Sequence, residues 1–368
     1  MNYKYFTPGS IWNDTDGTPI NAHGGGLLFH DDTYYWYGEH KIEGTAGNVA
    51  MVGVHCYSSP DLYNWTDEGI ALTVSDDEHS EIARGCILER PKVIFNAKTG
   101  KFVMWFHLER KGEGYSTARS GVAVADSPAG PFTFKHSLRP NAGHWPVNVT
   151  EDQKDPESIA AAQARDQEFI GEQTHLHQHY NLLGSHYEGG QMARDMNLFV
   201  DDDSKAYHVY ASEHNATLHI AELTDDYTGH TGNYVRLFPT RFMEAPALFK
   251  RKGKYFLLAS GCTGWAPNAA RSALAADTLL GLWTELENPC HGTNPQNNLG
   301  PEKTFGAQST YVLHIHGKED AYIALFDIWC PENAIDGRYV WLPLTFDDET
   351  RYSIHWHDQW DLSLFDAG

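Results

Sequence analysis

A strand–turn–strand pattern that occurs five times along the chain is the feature that most constrains the fold. Each copy begins with a polar residue, continues into a short apolar run, passes through a charged or glycine-containing turn, and ends in an apolar run rich in aromatic residues. This order is typical of a β-hairpin. The five copies are HGGGLLFHDDTYYWYGEH from His23, ERPKVIFNAKTGKFVMWFH from Glu89, DMNLFVDDDSKAYHVYAS from Asp195, EAPALFKRKGKYFLLASG from Glu244 and QSTYVLHIHGKEDAYIALF from Gln308.

A second element recurs between these copies and is typical of an outer strand that ends in a turn. Hairpin repeats of this length, with about four strands in each, are typical of a β-propeller. Five copies therefore predict an all-β fold, a five-bladed β-propeller that forms a single domain over residues 1–368. A β-sandwich with coincidental hairpins is the alternative. The second element has the sequences YSSPDLYNWT from Tyr57, VADSPAGPFTF from Val124, LTDDYTG from Leu223 and LAADTLLGLWTEL from Leu274.

The interval between the second and third copies is too long for a blade. The excess lies at about residues 139–192 and contains DPESIAAAQARDQEFI, which is the clearest helical sequence of the chain. Asp155 and Ser158 are candidate caps of this helix. We therefore predict a partly helical insertion between blade strands that crosses near one face of the propeller.

Charge and cysteine content narrow the partners and the location. The chain has 49 acidic and 27 basic residues and a formal net charge of −22. Such a surface disfavours nucleic acid and anionic membranes, and no apolar run approaches the length of a membrane span. The five cysteines include no CxxC pair and are interpreted as buried thiols. The N-terminus lacks a signal peptide pattern, which leaves a cytoplasmic location and a secreted protein without its leader as alternatives.

The polar residues that open the five copies are the candidates for chemistry. In a propeller the first strand of each blade lines the central channel, so these openers should gather at one face. Several carboxylates beside an aromatic pocket suit the hydrolysis of glycosides, which needs a carboxylic acid for the leaving oxygen and a second group for water. Clustered negative charges raise the pKa of a carboxyl group. We predict this effect of Asp195 on Glu244.

Several motifs resemble those of glycoside hydrolase family 43, which consists of five-bladed propellers that remove sugars from polysaccharides. These motifs are RDMNLFVDDD, EAPALFKRKGKYFLLASG and TGWAPN. The sequences AHGGGLLF, ERPKVIFN, FVMWFH, GAQSTYV and GRYVWLPL are similar to the branch that contains the exo-β-1,3-galactanases and the neighbouring galactofuranosidases and arabinofuranosidases. The resemblance covers nearly the whole chain apart from the insertion.

The resemblance implies roles for four candidate catalytic residues. Glu244 matches the general acid of the family, and Asp195 matches the aspartate that tunes and orients this acid. The family inverts configuration, and its usual base is an aspartate that opens the first blade, where this chain has His23. In the galactanase branch a glutamine of the fifth blade is thought to act as base through its imidic tautomer, and Gln308 matches it. Glu89 matches a glutamate that contacts the sugar and is also a candidate base on charge grounds.

The resemblance also implies a set of substrate-binding residues. Trp265 matches a tryptophan that stacks on the sugar, with a core position as the alternative, and Asn215 lies near a position that hydrogen-bonds the sugar. For Arg338 and Trp341 packing between blades is an equal alternative to the rim of the pocket. The candidate substrate-binding residues are His23, Asn215, Thr263, Trp265, Arg338 and Trp341.

Two sequences invite interpretation as metal sites. His175, His177 and His179 alternate and could share one face of a strand, but the acids nearby form no evident ligand shell. The run DDD at residues 201–203 is more typical of a hairpin turn than of a calcium loop. We therefore expect no metal or cofactor in the site, and a structural cation on the propeller axis stays open.

These features predict an inverting exo-glycosidase that acts on galactan or arabinogalactan glycans, one terminal sugar at a time, because the insertion closes the pocket. The insertion and SGCTGWAPN favour a β-D-galactofuranoside or α-L-arabinofuranoside as substrate, and an exo-β-1,3-galactanase is the alternative. The missing carboxylate of the first blade also admits a catalytically silent carbohydrate-binding propeller. A structural propeller for protein partners is the third possibility.

Overall fold

The computed structural model describes residues 2–165 and 180–366 and shows five sheets arranged as the blades of a propeller, so the predicted fold class is confirmed. The strands are β1 (His23–His30), β2 (Thr33–Glu39), β3 (Val49–Ala50), β4 (Gly53–Ser59), β5 (Thr66–Thr73), β6 (Cys86–Asn96), β7 (Lys101–Glu109), β8 (Arg119–Ala125), β9 (Thr133–Leu138), β10 (Met196–Val200), β11 (Ala206–Ser212), β12 (Thr217–Leu223), β13 (His230–Leu237), β14 (Met243–Arg251), β15 (Lys254–Gly261), β16 (Arg271–Ala275), β17 (Thr284–Leu286), β18 (Cys290–His291), β19 (Gln308–His314), β20 (Tyr322–Ile328), β21 (Arg338–Phe346) and β22 (Tyr352–His355).

Each blade is one sheet in which four consecutive long strands pair in chain order, apart from the two-residue strands β3 and β18, which add to the edges of blades II and V. The strand orders are β1-β2-β4-β5 in blade I, β3-β6-β7-β8-β9 in blade II, β10-β11-β12-β13 in blade III, β14-β15-β16-β17 in blade IV and β19-β20-β21-β22-β18 in blade V. The innermost long strands β1, β6, β10, β14 and β19 contact one another in succession and close a ring. Each of these strands begins at or beside the polar opener of one sequence copy. The ring therefore gathers the openers around a common axis.

The hydrophobic core lies in the five seams between neighbouring blades. Each buried apolar cluster combines side chains from two adjacent sheets, because both faces of a blade are covered by its neighbours. The aromatic side chains of the hairpins fill these seams and include Trp36, Trp105 and Trp341 among the largest fully buried groups. Burial of apolar area at about 25 cal/mol per Å² is the main term that holds the blades together.

The seam between blades I and V is closed by the two ends of the described chain. The Phe6 amide donates to the Trp360 carbonyl oxygen (2.8 Å), and the two rings stack with their centroids 4.4 Å apart. Trp12 packs edge-on against Trp341 (5.0 Å), and Trp36 lies 4.8 Å from the same indole. An aromatic cluster, rather than a sheet shared by both blades, therefore joins the first blade to the last.

The described part of the insertion packs against blades II and III. It contains a short 3-10 turn (Glu151–Lys154), α1 (Pro156–Gln163) and α2 (Leu182–Ser185), and the Asp155 carboxylate caps α1 by accepting from the Ser158 amide (2.9 Å). The Val147 amide donates to the Tyr234 carbonyl oxygen, so this segment runs along the outer strand β13. The partly helical character is confirmed. The three alternating histidines at 175, 177 and 179 lie outside the described residues.

Within residues 2–165 and 180–366, no helix combines the length and the apolar character that crossing a bilayer would require.

Candidate active site

A cavity of about 620 Å³ opens where the inner strands begin, and all five blades contribute to its wall. Seven of the ten residues predicted from the sequence line it, whereas His23, Arg338 and Trp341 do not. Four of the five openers therefore meet at one site. The predicted residues in the wall are Glu89, Asp195, Asn215, Glu244, Thr263, Trp265 and Gln308.

β-Bulges directly follow three of the five openers. The register of β1, β6 and β14 shifts directly after the opener. The residue at this shift has a left-handed backbone in each case: Gly24 (φ 61°), Arg90 (φ 56°) and Ala245 (φ 51°). A bulge bends the strand and re-aims the neighbouring side chain, and after it Glu89 and Glu244 face the cavity whereas His23 does not.

Glu244 is the carboxyl group best suited to donate a proton. Its Oε1 accepts from the Asn215 amide (3.2 Å) and its Oε2 accepts from the Gln308 amide (3.3 Å). Burial, followed by the negative charge of Asp195, raises its pKa from 4.5 to about 7, against the opposing effects of the Cys262 thiol and the Arg90 guanidinium. The predicted effect of Asp195 on Glu244 is therefore present in the structure, with burial as the larger cause.

Arg90 fixes the position of Asp195 beside the acid. The guanidinium Nη2 lies 2.9 Å from the Asp195 Oδ2, and the same carboxylate oxygen accepts from the Ala245 amide (3.1 Å). Nη2 also donates to the Gln308 Oε1 (2.6 Å). One buried cation thus holds both an ionised carboxylate and the opener of the fifth blade, and neither can turn away from Glu244 without breaking contacts.

The contacts of Gln308 hold its side chain as an ordinary amide. Its Oε1 accepts from Arg90 and from the Trp329 indole (2.9 Å), and its Nε2 donates to the Ser260 hydroxyl (2.9 Å) and to Glu244. An imidic tautomer would carry a proton on Oε1, the atom that faces two N–H donors. These contacts therefore favour the amide form over the tautomer required of a base.

Glu89 is held ionised near Asp195 in the cavity wall. Its Oε2 lies 3.0 Å from the His107 Nδ1, and its Oε1 accepts from the Tyr115 hydroxyl (2.6 Å). Burial alone would raise the pKa of Glu89, but the His107 hydrogen bond and charge, Lys41 and Tyr115 lower it to about 2. His107 itself lies between Glu89 and Glu109, and these two carboxylates overcome burial and raise its pKa to about 9.

The ligand atoms of Glu89, His107 and Asp195 all lie within 4.8 Å of one another. The pKa of His107 is raised because its ring lies between the carboxylates of Glu89 and Glu109, with which it forms ion pairs. Asp195 is already paired with Arg90. The trio is therefore an arrangement of ion pairs that orients Glu89. The buried Lys92 Nζ donates to the carbonyl oxygens of Gly24 (3.0 Å) and Arg90, and burial, followed by the charge of Arg90, lowers its pKa to about 7.

Aromatic side chains form the upper wall of the cavity. Trp265 is 44% exposed and meets the Trp329 ring edge-on at 5.8 Å, and Tyr115 lies across the cavity wall. The Thr263 hydroxyl donates to the Ala266 carbonyl oxygen and thereby shapes the loop that presents Trp265. An exposed indole face beside buried carboxylates fits a sugar, which has apolar C–H faces and polar edges.

Sequence reasoning missed Glu39, a carboxylate that the first blade supplies to the cavity from its second strand. Glu39, at the end of β2, lies opposite His23 and lines the cavity. A Cβ atom added to Gly24 would lie 2.3 Å from the Glu39 Oε1, so this carboxylate fills the space left by the glycine. Glu39 accepts from the Arg90 amide (2.9 Å) and pairs with Lys41 (2.5 Å). The GGG run was the available signal, since it leaves room for a side chain from another strand.

Three predicted substrate-binding residues lie away from the cavity, which corrects their placement. His23 is fully buried, its ring stacks on Tyr339 with centroids 5.2 Å apart, and its Nδ1 lies 3.7 Å from the Asp327 Oδ2. Burial and nearby cations lower the pKa of His23 to about 3, so the ring is neutral. Trp341 fills the seam between blades I and V, which is the alternative stated for it. The Arg338 guanidinium donates to backbone carbonyl oxygens of its own turn.

The described residues of the insertion, 139–165 and 180–192, contribute nothing to the cavity wall. They pack instead along blade III. The expectation that the insertion closes the pocket therefore finds no support in the part of the insertion that the structure describes. The walls come from blade loops that carry Asn48, Tyr115, Asn215, Trp265 and Trp329.

Known proteins match this chain in sequence and in architecture. The family model described as glycosyl hydrolases family 43 matches residues 137–304. The structure of the family 43 β-1,3-galactosidase BT3683, solved with galactodeoxynojirimycin, is 50% identical, with a TM-score of 0.87, over 97% of this chain and 100% of that one. The chain belongs to glycoside hydrolase family 43. This family 43 protein is thus a glycosidase.

Longer family 43 enzymes are also similar. The exo-β-1,3-galactanase of Clostridium thermocellum is 34% identical, with a TM-score of 0.76, over 97% of this chain and 66% of that one. A variant of the exo-β-1,3-galactanase of Phanerochaete chrysosporium, solved with β-1,3-galactotriose, is 30% identical, with a TM-score of 0.76, over 98% of this chain and 68% of that one. No curated protein sequence matches the chain.

Proposed function

We propose that this glycosidase is an exo-acting, inverting β-1,3-galactosidase that releases terminal galactose from β-1,3-linked galactan chains. The observation that carries the proposal is the cluster at the cavity floor, in which Glu244 has its pKa raised to about 7 beside the Arg90-bound Asp195. The names of the similar structures, a β-1,3-galactosidase and exo-β-1,3-galactanases, support the sugar and the linkage.

Glu244 acts as the general acid in this proposal. Its carboxyl proton passes to the glycosidic oxygen as the bond from this oxygen to the anomeric carbon breaks, which leaves Glu244 as a carboxylate. The Asn215 and Gln308 amides, which donate to the two oxygens of Glu244, then stabilise the charge that forms. Asp195 disfavours this charge before the reaction and so keeps the proton available at neutral pH.

A water molecule attacks the anomeric carbon from the opposite face, and its proton passes to a base. Gln308 stays the predicted residue at the water, but both lone pairs and both N–H groups of its amide already have partners, so its contacts suit the positioning of Glu244 better than the removal of a proton. Glu89 is the carboxylate that takes the proton in this proposal, since His107 and Tyr115 keep it ionised and oriented. Its pKa of about 2 makes it a weak base, so the proton passes to it only as the bond from the water oxygen to the anomeric carbon forms and makes the water acidic. The products are galactose of inverted configuration and a chain shorter by one sugar.

A β-1,3-galactan is a better candidate substrate than a furanoside, although the sequence alone favoured the furanoside. The motifs that favoured a furanosidase were the insertion and the loop SGCTGWAPN. The described insertion does not reach the cavity, and the loop presents Trp265, which suits a pyranose as well as a furanose. The full-length 50% identical structure is a β-1,3-galactosidase. Two observations disfavour a catalytically silent binding propeller. The chain belongs to a family of glycosidases, and the pKa of Glu244 is raised to about 7, which suits a proton donor.

The test is a panel of substrates with purified wild type and two variants. We expect hydrolysis of β-1,3-galactobiose and aryl β-D-galactopyranosides, release of galactose alone from longer galactans, and α-galactose as the first product by NMR. Glu244→Gln should lose this activity, and Glu285→Gln should keep it, because Glu285 pairs with Arg241 at the outer edge of the same blade. Hydrolysis limited to furanosides, internal cleavage of galactan, or no turnover by wild type would contradict the proposal.

A further inference from the structure

The turn between β11 and β12 has an unusual backbone. Glu213 (φ 52°), His214 (φ 55°) and Asn215 (φ 67°) are three successive residues in the left-handed region, and none is glycine. Single residues of this kind are uncommon, because the Cβ atom approaches the backbone closely. A run of three persists only when surrounding contacts determine the conformation, and such turns cluster at functional sites.

This turn delivers Asn215 to the catalytic acid. The Asn215 side chain lines the cavity, and its Nδ2 donates to the Glu244 Oε1 (3.2 Å). The Asn215 carbonyl oxygen accepts from the Cys262 thiol (S–O 3.9 Å), which ties the turn to blade IV. The Asn215 Oδ1 is buried and makes no hydrogen bond to the described residues, so the Nδ2 contact to Glu244 is the side-chain hydrogen bond that the turn delivers.

The side chain of Glu213 points away from the cavity and anchors the turn. It is 5% exposed and receives two parallel hydrogen bonds from Arg236, Nε to Oε1 and Nη2 to Oε2, each 2.7 Å long. The His219 Nε2 lies 2.9 Å from Oε1, and the Thr217 hydroxyl donates to Oε2 (3.2 Å). Burial would raise the pKa of Glu213, but the Arg236 charge and these hydrogen bonds hold it well below its usual range. A bidentate guanidinium fixes a carboxylate in direction as well as distance.

We propose that Glu213 is a positioning residue of this glycosidase: clamped by Arg236 and His219, it holds the 213–215 turn in its left-handed form so that Asn215 reaches Glu244. Glu213 itself touches neither substrate nor acid. The proposal rests on the proposed function for its activity readout, and it locates a determinant of catalysis outside the cavity wall.

A double-mutant cycle tests whether Glu213 acts through Asn215. The variants are Glu213→Gln, Asn215→Ala and the double variant, assayed for kcat and KM on β-1,3-galactobiose. Each single variant should lower kcat/KM by about 10- to 100-fold, which corresponds to the loss of a hydrogen bond to a charged group. In the Asn215→Ala background, Glu213→Gln should cost less than about twofold, because the contact through which it acts is already gone.

Glu222→Gln is the matched control, since Glu222 lies on β12 of the same blade and faces Lys205 instead of the cavity. It should leave kcat/KM unchanged. If Glu213→Gln does not fold, Arg236→Lys enters the same cycle, because a lysine cannot make both parallel hydrogen bonds. Equal losses in both backgrounds, or no loss in the wild-type background, would overturn the proposal.

A crystal structure of Glu213→Gln separates this proposal from the proposed function. We expect the 213–215 turn to relax and Asn215 to leave hydrogen-bonding distance of Glu244. An unchanged turn would overturn the positioning role whether or not the enzyme cleaves galactobiose. Wild type without activity on any galactoside, combined with a relaxed turn in the variant, would instead count against the proposed substrate alone.

Discussion

Asp195→Asn should move the alkaline limb of the pH–activity profile toward lower pH. Glu244 must be protonated to donate, so kcat/KM should be highest below the pKa of about 7 and fall about tenfold per pH unit above it. The negative charge of Asp195 opposes ionisation of Glu244 and raises this pKa. A neutral asparagine removes that effect and also releases Arg90, whose charge favours the carboxylate. Both changes lower the pKa of Glu244.

The size of the expected change in kcat/KM follows from the pKa of Glu244. At pH 6 a carboxyl group with a pKa of about 7 is about 90% protonated, whereas one at the ordinary 4.5 is about 3% protonated. At this pH the site therefore makes the acid about 30-fold more available, which corresponds to about 2 kcal/mol. Glu244 remains buried in the variant, so we expect Asp195→Asn to lower the pKa of Glu244 by only ~1. The loss of kcat/KM should then be about tenfold larger at pH 8 than at pH 5.

The assay is kcat/KM for an aryl β-D-galactopyranoside between pH 4 and pH 9, because this ratio reports the ionisation of the free enzyme. Asp203→Asn is the control, since Asp203 lies in the exposed hairpin of the same blade. The control should keep the wild-type profile. An alkaline limb that stays in place or moves to higher pH in Asp195→Asn would refute the effect of Asp195. An alkaline limb near pH 7 that persists in Glu244→Gln would show that Glu244 is not the group that titrates.

Three further predictions concern the wall and the floor of the cavity. Glu244→Gln should lower kcat/KM for β-1,3-galactobiose by ~10²–10⁴-fold but much less for a dinitrophenyl galactoside, whose leaving group needs no proton; equal losses would contradict an acid role. Trp265→Ala should raise KM about tenfold with little change in kcat, because a stacking face is lost, and an effect on kcat alone would disagree. Arg90→Lys should lower kcat/KM by ~10–100-fold, because one ammonium cannot hold Asp195 and Gln308 together; unchanged activity would show that these contacts are dispensable.

The openers could be predicted from the sequence because they occupy equivalent positions in a repeated hairpin. Propeller symmetry converts equivalent positions into neighbours, so Glu89, Asp195, Glu244 and Gln308 meet although they are far apart in the chain. His23 is the exception. A left-handed glycine follows it, and the carboxylate of the second strand fills the opening, so its own ring turns into the seam.

The residues that support the openers could not be predicted in this way. Arg90 reaches Gln308 across 218 positions of sequence, and Glu39 enters the site from a second strand. Tyr115 and Trp329 come from loops whose lengths differ between blades, so the repeat does not place them. Hydrogen-bond partners of this kind depend on bulges and loop conformations, which leave little trace in the order of residue types.

Residue type alone also failed to separate one tryptophan from another. Trp265 and Trp341 were both candidates for the rim, yet the first is 44% exposed in a loop and the second is buried in β21. Their positions relative to the hairpin repeat explain why one is exposed and the other is buried. The loop residue follows the second strand of its blade at the cavity end, whereas β21 is a third strand and faces the neighbouring blade.

The indole cluster that joins the first blade to the last also gives the molecule an optical reporter. Trp12, Trp36, Trp341 and Trp360 all lie in or beside this junction, where most of their surface is hidden from water. Indole emission shifts to longer wavelength when the ring becomes hydrated. Parting of the two end blades would therefore appear as a red shift while the individual sheets still gave their circular dichroism signal.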